Sequence, residues 1–212
     1  MRGQKGSAQA EGSVVRGQKV SARVGILALQ GDFEAHAKAL ERAGGEPVLV
    51  RTEVELKTID GLVIPGGEST TMLKLIDYMN LREPLLSFAR AMPVFGTCAG
   101  AILLAKEVEN PPQESLGVLD LTVERNAYGR QIDSRVASVK ADADFEQRTG
   151  LGELEAVFIR APIIRRVGPD VKVLAKYEGD PVLVEQGKHL VATFHPELTQ
   201  DSRVHRLFLS KL

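Results

Sequence analysis

Cysteine is almost absent from this chain: Cys98 is the only one in 212 residues. No internal disulfide can form, which fits a reducing compartment, so the cytoplasm is the expected location. Charge of one sign is missing too. Lys and Arg number 27 against 28 Asp and Glu, for a formal net charge of -1. There is no basic excess to suggest nucleic-acid binding and no block of like charge to suggest a solvated tail. The longest apolar runs fall far short of a membrane span. The N-terminus lacks the apolar core of roughly 7–15 residues that a secretory signal needs.

What is present, 43% apolar and 26% charged residues over 212 positions, suits one soluble domain with a sizeable core. Residues 1–22 differ from the rest. They are rich in Gly, Ser, Gln and basic residues, and the tetrapeptide RGQK occurs at 2–5 and 16–19. A disordered extension or a start codon set too far upstream is expected, with a transit peptide as the minor alternative. The domain is expected over 23–212, without a linker or a true internal repeat.

From Arg23 a regular alternation begins. Apolar runs at 23–29, 47–51, 60–67 and 93–97 read as strands. Between them lie helical patterns. One is capped by Asp32 and stopped at Gly44, and one carries Met72, Leu75, Ile76 and Met79 at helical spacing. Another runs over 84–91, and "AGAILLAKEV" (99–108) reads as a buried helix. Strands alternating with helices predict an α/β fold, a mostly parallel sheet with helices on both faces. After a loop at 109–115, strand signals crowd together at 118–125, 135–140, 155–161, 171–177, 181–186 and 189–195. Some of these are expected to extend the sheet in antiparallel fashion. A helix from Asp201 closes the chain.

Three stretches carry chemistry. Gly96-Thr97-Cys98-Ala99-Gly100 lies between an apolar strand and an apolar helix, the setting of a nucleophile elbow with sulfur in place of a hydroxyl. A helix N-terminus there favours negative charge on sulfur. A buried structural cysteine beside glycines accounts for the same letters. Of the four histidines, His36, His189 and His205 each have an ordinary surface or core explanation. His195 opens His195-Pro196-Glu197, where a carboxylate two residues on can reach back and hold the imidazole, the orienting role of a triad. "PGGEST" (65–70) ends a strand, and Gly66 and Gly67 could aim backbone N–H groups at a developing oxyanion. A plain strand-to-helix turn with Ser69 as cap fits it equally well. The lysine of a phosphate-binding loop is missing.

Together, "PGGEST", "FGTCAG" and "FHPELT" resemble the class I (triad) glutamine amidotransferases, which have a flavodoxin-like α/β fold. "LALQGDFEAH", "GLVIPGGESTTM", "VERNAYGRQIDS", "FIRAP" and "FHPELTQD" are similar to the glutaminase subunits of pyridoxal 5′-phosphate synthase within that class. Ile102 stands where most other class I glutaminases carry glutamine. The resemblance covers about residues 23–212 and implies a glutaminase. Cys98 would attack the side-chain amide of L-glutamine, His195 would act as base and acid, and Glu197 would orient it. Gly67, Glu68, Ser69, Arg125, Ile159 and Arg160 match glutamine-binding positions. Gly66, Ala99 and Gln30 match the oxyanion or partner-facing region. The resemblance implies no metal and no cofactor. The partner it implies is a barrel-shaped synthase subunit, which combines the ammonia with ribose 5-phosphate and glyceraldehyde 3-phosphate in a large hetero-oligomer and switches the glutaminase on when it docks.

Three rivals remain to be separated. A glutaminase serving another acceptor is disfavoured by "VERNAYGRQ". A DJ-1-like cysteine sensor would not be expected to carry His-Pro-Glu and "PGGES". An interaction subunit with a dead site is at odds with the intact Cys98, His195 and Glu197.

Overall fold

The computed structural model describes residues 21–126 and 134–212. The repeated RGQK lies outside the described residues, as do all but two residues of the expected extension and most of "VERNAYGRQIDS".

The first half alternates as expected. It runs β1 (Arg23–Leu27), α1 (Phe33–Ala43), β2 (Glu46–Val50), α2 (Glu53–Leu56), β3 (Gly61–Ile64), α3 (Ser69–Tyr78), α4 (Arg82–Ala91), β4 (Val94–Thr97) and α5 (Ala99–Leu104). Helix α1 starts where Asp32 accepts a hydrogen bond from the N–H of Ala35, and it ends at left-handed Gly44. The second half holds β5 (Ala105–Glu109), β6 (Leu119–Glu124), β7 (Ser134–Val139), α6 (Ala143–Thr149), β8 (Leu154–Ile159), β9 (Ile163–Val167), β10 (Lys172–Tyr177), β11 (Asp180–Gln186) and β12 (His189–Ala192). A 3-10 turn (Pro196–Leu198) and α7 (Arg203–Leu209) complete it.

Seven strands form one sheet in the order β10-β11-β12-β4-β3-β1-β2. Pairing is parallel from β2 through β12 and antiparallel at β12–β11–β10. Side chains alternate across it. Leu27, Leu62, Ile64 and Val94 join a core with α3, α4 and α5. Ile26, Val63 and Phe95 point the other way, into a core with α1 and α7. That alternation is the period of two in the central strands, both of whose faces are covered.

Four details depart from the sequence reading. The helix expected over 99–108 stops at Leu104, because the carbonyls of Leu103 and Leu104 accept hydrogen bonds from Leu116 and Val118 and the chain turns into β5. Only β10 and β11 extend the central sheet in antiparallel fashion. β5-β6-β9 and β7-β8 form separate small sheets, since an alternating pattern marks a strand without choosing its partner. On α3 the buried face is Met72, Leu73 and Ile76, while Met79 is exposed at the helix end. Helix α2, opened by a Thr52 capping box, helix α6, capped by Asp142, and strand β9 were not foreseen.

Leu62 is fully buried at the middle of β3. Leu62→Ala is expected to lower unfolding stability by about 2–5 kcal/mol in urea denaturation. A change under about 1 kcal/mol would show that this strand is not central to the core.

Candidate active site

The carboxyl ends of parallel strands are where α/β sheets place their sites. Here four of them, β1, β3, β4 and β12, lead into Gln30, Gly66–Ser69, Cys98 and His195. Between β4 and α5, Cys98 makes the turn alone, at φ 47° and ψ −102°. That conformation costs a residue with a Cβ on the order of 1–3 kcal/mol and persists only where its surroundings impose it. The Cys98 N–H donates to the Ala192 carbonyl of β12 at 2.9 Å, and its own carbonyl accepts from Ala101 and Ile102. Helix α5 passes so near β3 that a Cβ on Gly100 would lie 2.1 Å from the Ile64 carbonyl oxygen. Glycine at position 100 is therefore what lets the turn close. The thiol is nearly buried, with Sγ 3.9 Å from the carbonyl of Ile159.

Strand β12 stops at Ala192, short of His195, instead of running up to it. The His195 N–H donates to Val157 of β8 at 2.8 Å. Pro196 then opens the 3-10 turn, which swings Glu197 back to the ring with His195 Nδ1 and Glu197 Oε1 2.7 Å apart. Burial disfavours a charged imidazole, but hydrogen bonds to Cys98 and Glu197 and their negative charge outweigh it, and His195 is pushed up to about 10. Burial would raise the Glu197 carboxyl; His36 and His195 beside it hold it below the usual carboxylate value instead. The ring is boxed in by Gly66, where a Cβ would sit 2.4 Å from His195 Cε1.

The rest of the site is a polar rim. Glu68, and not Ser69, caps α3. Its carboxylate accepts from the N–H groups of Thr70 at 3.1 Å and Thr71 at 2.6 Å. Slight burial works against the charge, but these bonds hold Glu68 down at about 2. Gln30 Oε1 accepts from the Glu68 N–H at 2.9 Å and so props the loop from beneath. Arg125 donates to Thr70 Oγ1 at 3.0 Å and lies 3.6 Å from Glu68. The hydroxyls of Ser69 and Thr70 both donate to Gln113 Oε1 at 3.1 Å.

Beside Cys98 a partly open cavity is lined by all six expected binding positions: Gly67, Glu68, Ser69, Arg125, Ile159 and Arg160. Gly66, Ala99 and Gln30 lie just behind the lining. Ala99 begins α5, so its N–H is at the helix N-terminus beside the thiol. Asn126 and Pro162 also line the cavity. The sequence reading quoted the motifs that contain them without singling them out. Gln113 was missed entirely, since a loop glutamine carries no signal of its own. His36 and His205, read as ordinary core or surface residues, are fully buried, His36 against Glu197 and His205 against His36.

The sequence model of the SNO glutamine amidotransferase family matches residues 26–212. The chain is 66% identical over 190 residues to pyridoxal 5′-phosphate synthase subunit PdxT of Solibacter usitatus, covering 90% of this chain and 99% of that protein. It is 57% identical over 187 residues to the protein of the same name from Koribacter versatilis, covering 88% and 94%. A crystal structure of a glutamine amidotransferase superposes with a TM-score of 0.80 at 47% identity, over 89% of this chain and 97% of that one. The crystal structure of a putative GMP synthase component from Thermoplasma acidophilum aligns with a TM-score of 0.65 at 17% identity, over 90% and 94%, which is a likeness of fold alone.

Glu197→Gln removes a negative charge and a charge-assisted bond from the imidazole. His195 is therefore expected to lose its proton at a clearly lower pH than about 10, followed by NMR of the ring nitrogens. An unchanged titration would mean that Glu197 has no electrostatic hold on the ring.

Proposed function

Because the chain belongs to the SNO glutamine amidotransferase family, we propose that it is the glutaminase subunit of a pyridoxal 5′-phosphate synthase, releasing ammonia from L-glutamine for a synthase partner. The observation that carries this reading is the hydrogen-bonded run from Cys98 through His195 to Glu197, with Cys98 lining a cavity that carries charged groups of both signs. Arg125 and Arg160 suit the α-carboxylate of an amino acid and Glu68 suits its ammonium group. The side-chain amide is then directed toward Cys98.

Sγ of Cys98 attacks the amide carbon as a thiolate whose proton His195 already holds on Nε2, since Nδ1 is engaged by Glu197 and the ring is pushed up to about 10. The carbonyl electrons move onto oxygen, which backbone N–H groups of Gly67 and Ala99 stabilise, with Gly66 leaving room for the ring. Collapse of this intermediate breaks the C–N bond. His195 returns the proton to nitrogen, and ammonia leaves a γ-glutamyl thioester on Cys98. A water then loses a proton to His195 and attacks the thioester; the C–S bond breaks, glutamate departs, and the proton stays on His195 beside the thiolate, which restores the starting pair. Glu197 holds the ring in one tautomer throughout and balances its charge when protonated.

Ammonia released into water would be protonated and lost, so its delivery belongs to a complex with the barrel-shaped synthase subunit, whose docking completes the oxyanion site. The reading places the reaction in the cytoplasm; among the described residues no helix is long and apolar enough to cross a membrane.

Glutamate release from glutamine is expected to rise when the synthase subunit is added. In that complex Cys98→Ser should lower kcat roughly a thousandfold or more. Quenched wild-type protein should carry a glutamyl adduct on Cys98 by mass spectrometry. Full turnover in the serine variant would sink the assignment of the nucleophile, and no release with the partner present would sink the proposed activity.

A further inference from the structure

Behind the His195–Glu197 pair runs a line of buried polar groups that the reaction above does not use. His36 on α1 and His205 on α7 are both fully buried, as is Thr97 at the end of β4. His36 Nε2 is 3.0 Å from Thr97 Oγ1 and 3.3 Å from Glu197 Oε2, the oxygen that His195 does not hold. Oε2 has no full hydrogen bond among the described residues, and His36 Nε2 is the polar atom placed against it. His36 Nδ1 is 3.2 Å from His205 Nε2, and His205 Nδ1 is buried without a partner.

Proton bookkeeping picks one arrangement. Burial holds His36 below its ordinary value and His205 down to about 3, so both rings are neutral near pH 7, each with one N–H. If His36 carried its proton on Nδ1, its bare Nε2 would face a carboxylate oxygen at 3.3 Å. His205 would then have to place its own N–H on Nδ1, a buried donor with no acceptor. With the proton on Nε2 of each ring, His205 donates to His36 Nδ1, and His36 aims its N–H between Thr97 Oγ1 and Glu197 Oε2. Only an acceptor nitrogen on His205 is then left unpaired. Shared three-centre donors of this kind are common, and a buried carboxylate oxygen without any donor is costly.

We propose that His36, fixed as the Nε2–H tautomer by His205, is a positioning residue that holds the second oxygen of Glu197 and through it the orientation of His195. This rests on the proposed glutaminase reading, with one arm of its test independent of turnover. The charged and titratable groups that face His36 are Glu197, His195, Asp32 and His205. Those around His205 are His36, Glu197, Arg42 and Asp201.

In the full chain, nitrogen-15 NMR of the histidine rings is expected to find the proton of His36 on Nε2 near pH 7. That proton signal should move upfield in Glu197→Gln, where the charged acceptor is lost. A proton on Nδ1, or a charged ring, would overturn the proposal whether or not glutamate is released. A wild-type protein that releases no glutamate would defeat the activity and leave this arm to decide His36.

In the complex with the synthase subunit, His36→Leu should lower kcat roughly tenfold or more. KM should stay within about twofold. A carboxylate that loses a donor to its charged form becomes easier to protonate, so the acid limb of kcat/KM should move to higher pH. His36→Gln, whose amide N–H can reach the same place, should recover most of the rate and restore the limb, and it also serves if the leucine variant does not fold. Loss of rate in both variants with an unmoved pH profile would reduce His36 to packing and refute the proposed role.

Discussion

The site depends on one strand. β4 runs parallel between β3 and β12, and the turn at its end is forced into positive φ by contacts on either side. On one side Cys98 is tied by its N–H to Ala192 of β12; on the other α5 rests on the Ile64 carbonyl through the missing side chain of Gly100. A thiol on an ordinary helix-entry residue would follow the helix down into the core. The unusual turn leaves it facing the gap between two strand ends, where the loops of β3 and β12 bring the glycines and the imidazole to it.

The electrostatics follow from that placement. A carboxylate buried as deeply as Glu197 needs partners for both oxygens, since an unpaired buried charge is costly. His195 occupies one oxygen and in return has its own basicity raised well above that of a free imidazole. The second oxygen lies against α1, whose only polar inward side chain at that level is His36. The carboxylate is thereby gripped between a β12 loop and a helix from the far end of the chain sequence. The cavity rim is different in kind: Glu68 and Arg125 are held by hydrogen bonds to loop and helix-start groups and keep contact with solvent.

Much of this was legible in the sequence because it depends on local rules. Strand–helix alternation, the Asp32 cap, the Gly44 stop and the glycines around Cys98 each obey a constraint that acts within a few residues. The His-Pro-Glu triplet was legible for the same reason, since its two functional groups are two positions apart. What could not be read depended on distant parts of the chain. The end of α5 is set by hydrogen bonds from Leu116 and Val118, and the small sheets are set by which alternating strand finds which partner. His36 and His205 are 169 positions apart, and each alone looks like an ordinary core histidine. Arg125 and Arg160 took their meaning only from a family resemblance, because a lone arginine after a strand is most often a solvated charge.

The elements divide the work in a way that separates chemistry from recognition. The proposed reacting groups all leave strands of the central sheet, Cys98 from β4 and His195 with Glu197 after β12. The groups that would grip a substrate come partly from outside it, Arg125 after β6 and Ile159–Arg160 at the end of β8. The two sets are joined at few points: His195 N–H to Val157 and Cys98 Sγ near the Ile159 carbonyl, both on β8. Strands in a small separate sheet can change side chains or length without breaking the parallel register that holds the nucleophile. β8 is then the element on which both sets rely, so a change that displaced it would disturb binding and the reacting pair together.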